Sequence, residues 1–211
     1  MTQLRSIRIG CQDNPDSLFF IIHGYGASAE NIAPLANAFT EMFPKALFIV
    51  PNAPHPHPLD PSGTMWFEIT ELSEPVLNKG LKEAVPLLRD EIKYYQEFYK
   101  VPSEKTVVMG FSQGSMIALA LNQWGKTVAN TIIGFSGGLP FEPPSCDKNV
   151  RYLLIHGTAD AVVVPERGKE AYERLQKAGC KVELKMIPGL DHAIDAHAVE
   201  SALEFLQRES L

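Results

Sequence analysis

A serine, a histidine and an aspartate, the three side chains that together move protons during acyl transfer, each follow an apolar run in this sequence. Gly110-Phe111-Ser112-Gln113-Gly114 has the form G-x-S-x-G, which puts a serine hydroxyl on a sharp turn between a strand and a helix. The two glycines suit that turn because a side chain at either place would clash. A serine hydroxyl is a weak nucleophile until a base takes its proton, and the base needs a third group to fix its tautomer. On a turn of this kind the partners are expected in the order serine, acid, histidine. Downstream, His156-Gly157-Thr158-Ala159-Asp160 follows one apolar run, and Gly189-Leu190-Asp191-His192 follows the next. Asp160 and His192 are the favoured partners of Ser112.

The choice among six histidines rests on position. His23 and His156 close apolar runs and precede glycine, which reads as structural. His55 and His57 alternate with prolines, and two ligands are too few for a metal site. His197 falls in the final helical pattern, too late to reach back. Among rival acids, Asp191 adjoins His192 and adjacent side chains diverge, while Glu166 and Asp195 stay open as alternatives. A tetrahedral intermediate also needs two N–H donors for its oxyanion. The backbone N–H of Gln113, next after the serine, supplies one; the glycine turn His23-Gly24-Tyr25-Gly26 offers the Tyr25 N–H as the other.

The elements that must hold these residues alternate between short apolar runs and helical patterns, an α/β class with a mostly parallel central sheet and helices on both faces. Strands are expected at 18–22, 46–50, 106–109, near 130–135, at 151–155 and at 182–187, the last alternating as a half-exposed edge would. A helix is expected from Ser28 as N-cap, with Ile32, Leu35, Ala36, Phe39 and Phe43 on one face. Another is expected over roughly 80–99, a buried one over Met116–Leu121, one opened by Pro165 and closed by Gly179, and a final one near 195–208. Residues 51–80, rich in Pro, Gly and His, read as a surface excursion. With no repeat or linker, residues 1–211 are expected to form a single domain.

A net charge of -6 and the absence of a Lys/Arg cluster argue against nucleic acid as a partner. No apolar run approaches the roughly 18 residues of a membrane span, and the amino end has no apolar signal segment. Three widely spaced cysteines, Cys11, Cys146 and Cys180, suggest free thiols in a reducing compartment, so a cytoplasmic location is expected.

Taken together, the chain resembles the small carboxylesterase/acyl-protein thioesterase family, also called the phospholipase/carboxylesterase group, of the α/β-hydrolase fold. The resemblance runs through Ile22-His23-Gly24-Tyr25-Gly26, Pro51-Asn52-Ala53-Pro54, Met65-Trp66-Phe67, the Ser112 motif, Ser136-Gly137-Gly138-Leu139-Pro140 and the segments that end in Asp160 and His192. It implies a serine esterase or thioesterase without a large cap domain, working through an acyl-enzyme and needing no metal or organic cofactor. It implies acyl esters, small or lipid, as substrates, S-acylated proteins among them, and an acyl groove bordered by the excursion. Trp66, Phe67 and Leu72 are candidate walls of that groove, each equally readable as core. Val164 stands where the family often has proline and Asp191 where it often has glycine or methionine. The oligomeric state is open, a homodimer included. The alternative reading is a catalytically silent hydrolase fold that binds a ligand.

Overall fold

A computed structural model describes residues 3–60 and 62–208. Strands β1 (Ser6–Gly10), β2 (Ser17–Ile22), β3 (Ala46–Pro51), β6 (Thr106–Phe111), β7 (Thr131–Phe135), β8 (Arg151–Gly157) and β9 (Lys181–Ile187) form one sheet. Their order is β1-β3-β2-β6-β7-β8-β9. Every pairing is parallel except that of β1 with β3. Strands β4 (His55–Pro56) and β5 (Thr64–Met65) make a separate two-residue hairpin in the excursion.

The strands sort their side chains by alternation. Leu18, Phe20 and Ile22 of β2 join a core with the helices α3 (Glu74–Tyr99), α4 (Gln113–Ala120) and α5 (Pro165–Lys177). Phe19 and Ile21 face the other way, into a core with the short helices α1 (Ala29–Ile32) and α2 (Asn37–Thr40) and with α6 (Ala196–Gln207). All five of these β2 residues are fully buried, each contributing roughly 1.5–3 kcal/mol of transfer free energy. α4 is buried all round, as its apolar sequence predicts. β9 alternates exposed and half-buried positions, as an edge strand with one wet face should.

Three elements depart from the sequence reading. The helix expected from Ser28 is broken into α1, a 3-10 turn over Ala33–Ala36 and α2. Pro34 lies in the first turn of the middle piece and has no N–H to continue an α-helical ladder, so the backbone tightens there. α3 begins six residues earlier than expected, because Pro75 sits in its first turn, where a missing N–H costs nothing. β1 was not anticipated; its five residues carry only Ile7 and Ile9 toward the core.

Cys146 and Cys180 form a disulfide with Cα atoms 5.1 Å apart, inside the normal range for a bridge. The expectation of three free thiols is corrected: only Cys11 is free, and the cysteine argument for a reducing compartment falls with it. The partners lie 34 residues apart, on either side of β8 and α5, too far for spacing alone to pair them. Among the described residues no helix is long and apolar enough to cross a membrane.

Candidate active site

Parallel register brings the carboxyl ends of the strands level, with Ile22 opposite Gly110, Phe111 opposite Phe135 and Gly157 opposite Ile187. The loops after β2, β6, β8 and β9 therefore open on one rim of the sheet, where open α/β folds build their sites. Those loops carry Tyr25, Ser112, Asp160 and His192.

Ser112 joins β6 to α4 with φ 54° and ψ -115°, a left-handed backbone that a residue with a side chain adopts at a cost. The turn is held because its N–H donates to Phe135 O at 2.9 Å. A Cβ on Gly110 would overlap Gly114 O, and one on Gly114 would overlap Ile22 O. Both glycines of the motif are thus sterically required.

His192 Nδ1 lies 2.8 Å from Asp160 Oδ2. Asp160 is 3% exposed, and its Oδ1 accepts from the Val162 and Val163 N–H groups, each at 2.9 Å. Burial pushes the Asp160 carboxyl up, but the bonds from His192, Val163 and Val162 outweigh it and hold it below the usual carboxylate range. An ionised carboxylate can only accept, so Nδ1 of His192 carries the hydrogen and Nε2 presents a lone pair. The His192 ring packs on Phe111, the neighbour of Ser112, with centroids 4.7 Å apart.

None of the rival acids bonds to His192. Asp191 is exposed, Glu166 pairs with Lys169, and Asp195 caps α6 by accepting from the Ala198 N–H at 2.8 Å. His197 is exposed on α6 beside Glu200. Among the described residues no three His, Cys, Asp or Glu side chains converge as a metal set.

The turn after β2 approaches the serine closely: a Cβ on Gly24 would stand 3.2 Å from Ser112 Cβ. This turn and the start of α4 are braced by the same short segment of the excursion. Gly26 N–H donates to Thr64 O at 3.0 Å, and Trp66 Nε1–H donates to His23 O at 3.2 Å. The Gln113 side chain accepts from the Trp66 N–H at 3.0 Å and donates to Phe67 O at 2.8 Å. His23 is fully buried; its Nδ1–H donates to Gly24 O at 2.7 Å and its Nε2 accepts from the Ala53 N–H at 3.0 Å. Residues 64–67 therefore buttress both Tyr25 and Gln113, a role the sequence did not reveal.

That bracing corrects part of the expected acyl site. Trp66 and Phe67 are 1% and 3% exposed, packed in the core with α3, and do not line the open cavity beside the site. Leu72 does line that cavity, together with Met116, Leu139, Val162 and Val163. It encloses about 140 Å3. Met116 is one helical turn beyond Ser112, and Val162 and Val163 are the residues whose N–H groups hold Asp160. Arg174 fixes the far wall by donating to Leu139 O at 2.7 Å and pairing with Glu74 at the start of α3.

The sequence profile described as Phospholipase/Carboxylesterase matches residues 7–210. Esterase YpfH of Escherichia coli (strain K12) is 28% identical over 196 residues, which cover 92% of this chain and 84% of that protein. Acyl-protein thioesterase 1 of Debaryomyces hansenii is 27% identical over 228 residues, covering 98% of this chain and 97% of that one. Among solved structures, esterase PE8 superposes with a TM-score of 0.90 at 27% identity, over 98% of this chain and 99% of the other.

Proposed function

The chain belongs to the phospholipase/carboxylesterase family, and from that premise we propose that Ser112, His192 and Asp160 are the nucleophile, base and acid of its reaction. It is a serine hydrolase of carboxylic ester and thioester bonds, in keeping with relatives named esterase and acyl-protein thioesterase. The observation that carries the residue assignment is the 2.8 Å bond from His192 Nδ1 to a buried, ionised Asp160, which leaves the His192 Nε2 lone pair on the rim that holds Ser112.

In this reading Nε2 of His192 takes the Ser112 proton as the oxygen attacks the acyl carbonyl. Asp160 stabilises the imidazolium and fixes its orientation. The carbonyl oxygen, now negative, is received by the backbone N–H groups of Tyr25 and Gln113. The imidazolium then protonates the departing alcohol or thiol, leaving an acyl-serine. Water, deprotonated by His192, attacks that ester, and the serine recovers its proton as the acid departs. The cavity behind Leu72, Met116 and Val163 takes the acyl chain; its mostly apolar walls suit a hydrocarbon. Thioesters of S-acylated proteins fall within this substrate class, since only the acyl group need enter.

Replacement of the nucleophile tests the assignment. Ser112→Ala should lower kcat for a p-nitrophenyl ester by at least about 10⁴-fold with an unchanged circular dichroism spectrum. Turnover within tenfold of the parent would remove Ser112 from its role.

A further inference from the structure

His156 closes β8 and takes no part in the proton transfers above. Its ring is 1% exposed, with Nε2 2.7 Å from Val163 O and 3.4 Å from Asp160 Oδ2. Both neighbours are acceptors, so Nε2 carries the hydrogen. The opposite edge of the ring meets Gly168 of α5, where a Cβ would stand 2.5 Å from Nδ1. That closeness accounts for a glycine inside a helix and holds the imidazole in one position.

We propose that His156 is a positioning residue for the triad: through the Val163 carbonyl and Asp160 Oδ2 it fixes, from behind, the loop on which the acid rides. The inference rests on the triad reading above. Residues 158–164 join β8 to α5 without regular structure, and Val162 and Val164 point outward at 60% and 45% exposure. Thr158 and Ala159 tie the start of the loop to the segment after β9, donating to Ile187 O and Leu190 O at 2.9 Å each; past them, the burial of Val163 and the bonds closing on Asp160 and Val163 set the loop's place. Asp160 Oδ2 thus meets one imidazole that reacts, His192 at 2.8 Å, and a second, His156 at 3.4 Å, that stays put. A displacement of about 1 Å in the acid misaims His192, and such a misplacement costs catalysis on the order of 10²-fold.

The test compares kcat for an acetyl ester, whose chain is too short to probe the cavity wall, in His156→Leu and His156→Gln. Each is made in the parent and in an Asp160→Asn background. Leucine fills the space without a donor, while the glutamine amide N–H can still reach Val163 O. His156→Leu should lower kcat at least about tenfold with KM within about twofold, and glutamine should restore it to within about threefold. In the Asp160→Asn background, the leucine change should cost no further activity, because the group it positions no longer works. Parental kcat in a folded His156→Leu protein overturns the proposal. So does an equal fold-loss in both backgrounds, which makes His156 a structural residue independent of Asp160. Full activity in Asp160→Asn alone would instead sink the triad reading, and this inference with it. If the leucine variant does not fold, His156→Asn replaces it: its shorter amide cannot reach Val163 O, so kcat must fall below that of the glutamine variant. Equal rates for the two overturn the proposal.

Discussion

His23 has its ring fully buried two residues before the candidate oxyanion donor, and its bonding admits one protonation state. Burial lowers its pKa from 6.5, outweighing the bond to Gly24 and the charge of Glu30, which act to raise it. The unfolded chain therefore binds a proton at this site in mild acid before the folded one does. The stability that neutral His23 contributes is present above about pH 6.5 and is lost as pH falls toward its lowered value, by up to about 1.4 kcal/mol per pH unit. Urea unfolding between pH 7 and pH 5 should show a falling midpoint, with the slope reduced in His23→Gln. Identical slopes in the two proteins would refute this. Asp160 acts in a separate window: its carboxyl is held below the ordinary range, so its contribution fades only below about pH 4. The chemistry of single residues was legible where it depended on chain order. Ser112, Asp160 and His192 each follow a strand, and order along the chain fixes which rim they share. Partners defined by distant contacts were not legible. The side chain of Gln113 binds residues 66 and 67, and His156 binds forward to residue 163; no local pattern marks either.

The elements explain both what was readable and what was not. Runs such as Leu18–Ile22 and Ala46–Val50 are apolar throughout because both faces of a parallel sheet are covered, and that signal is unambiguous. Proline misleads in both directions: Pro75 opens a helix that the sequence pattern starts later, and Pro34 divides one that the pattern makes continuous. The excursion reads as surface because it is rich in proline, glycine and histidine, and only the family resemblance makes it a groove border. Its residues 64–67 instead turn inward as a brace, sending Trp66 and Phe67 to the core and leaving Leu72 at the cavity. The segment between β8 and α5 forms the near wall of that cavity and carries Asp160 as well, so under the proposed function acyl-chain selectivity is set there. Val163, 8% exposed, stands where added bulk subtracts volume from a space of about 140 Å3. Val163→Phe should lower kcat/KM for octanoyl esters at least about tenfold relative to acetyl esters, a difference of about 1.4 kcal/mol in transition-state binding. An unchanged ratio across the chain-length series would place the acyl site elsewhere.

At the scale of the molecule, the level carboxyl ends of β2, β6, β8 and β9 converge residues spread over most of the chain on one rim. The disulfide acts on the same half, tying the loop before β8 to the turn after α5. Cross-linking two positions 34 residues apart stabilises the fold by about 3–4 kcal/mol in the chain-entropy account. Cys146→Ser should therefore lower the thermal midpoint by roughly 6–16 °C, read by calorimetry under non-reducing conditions. Activity at 25 °C should persist, because neither sulfur touches the triad. A midpoint within 1 °C of the parent would show that the bridge adds nothing. Overall charge and the lack of a basic stripe were informative only by exclusion, and the bridge lay beyond what cysteine spacing could disclose.

The central claim is that His192 and Asp160 make Ser112 uniquely reactive. Treatment with a fluorophosphonate probe, proteolysis and peptide mass spectrometry tests it most directly. A single adduct on Ser112 in the parent, formed at least about 10³-fold more slowly in His192→Ala, is the result expected. An adduct on another residue, or equal labelling of Ser112 without His192, would contradict the account.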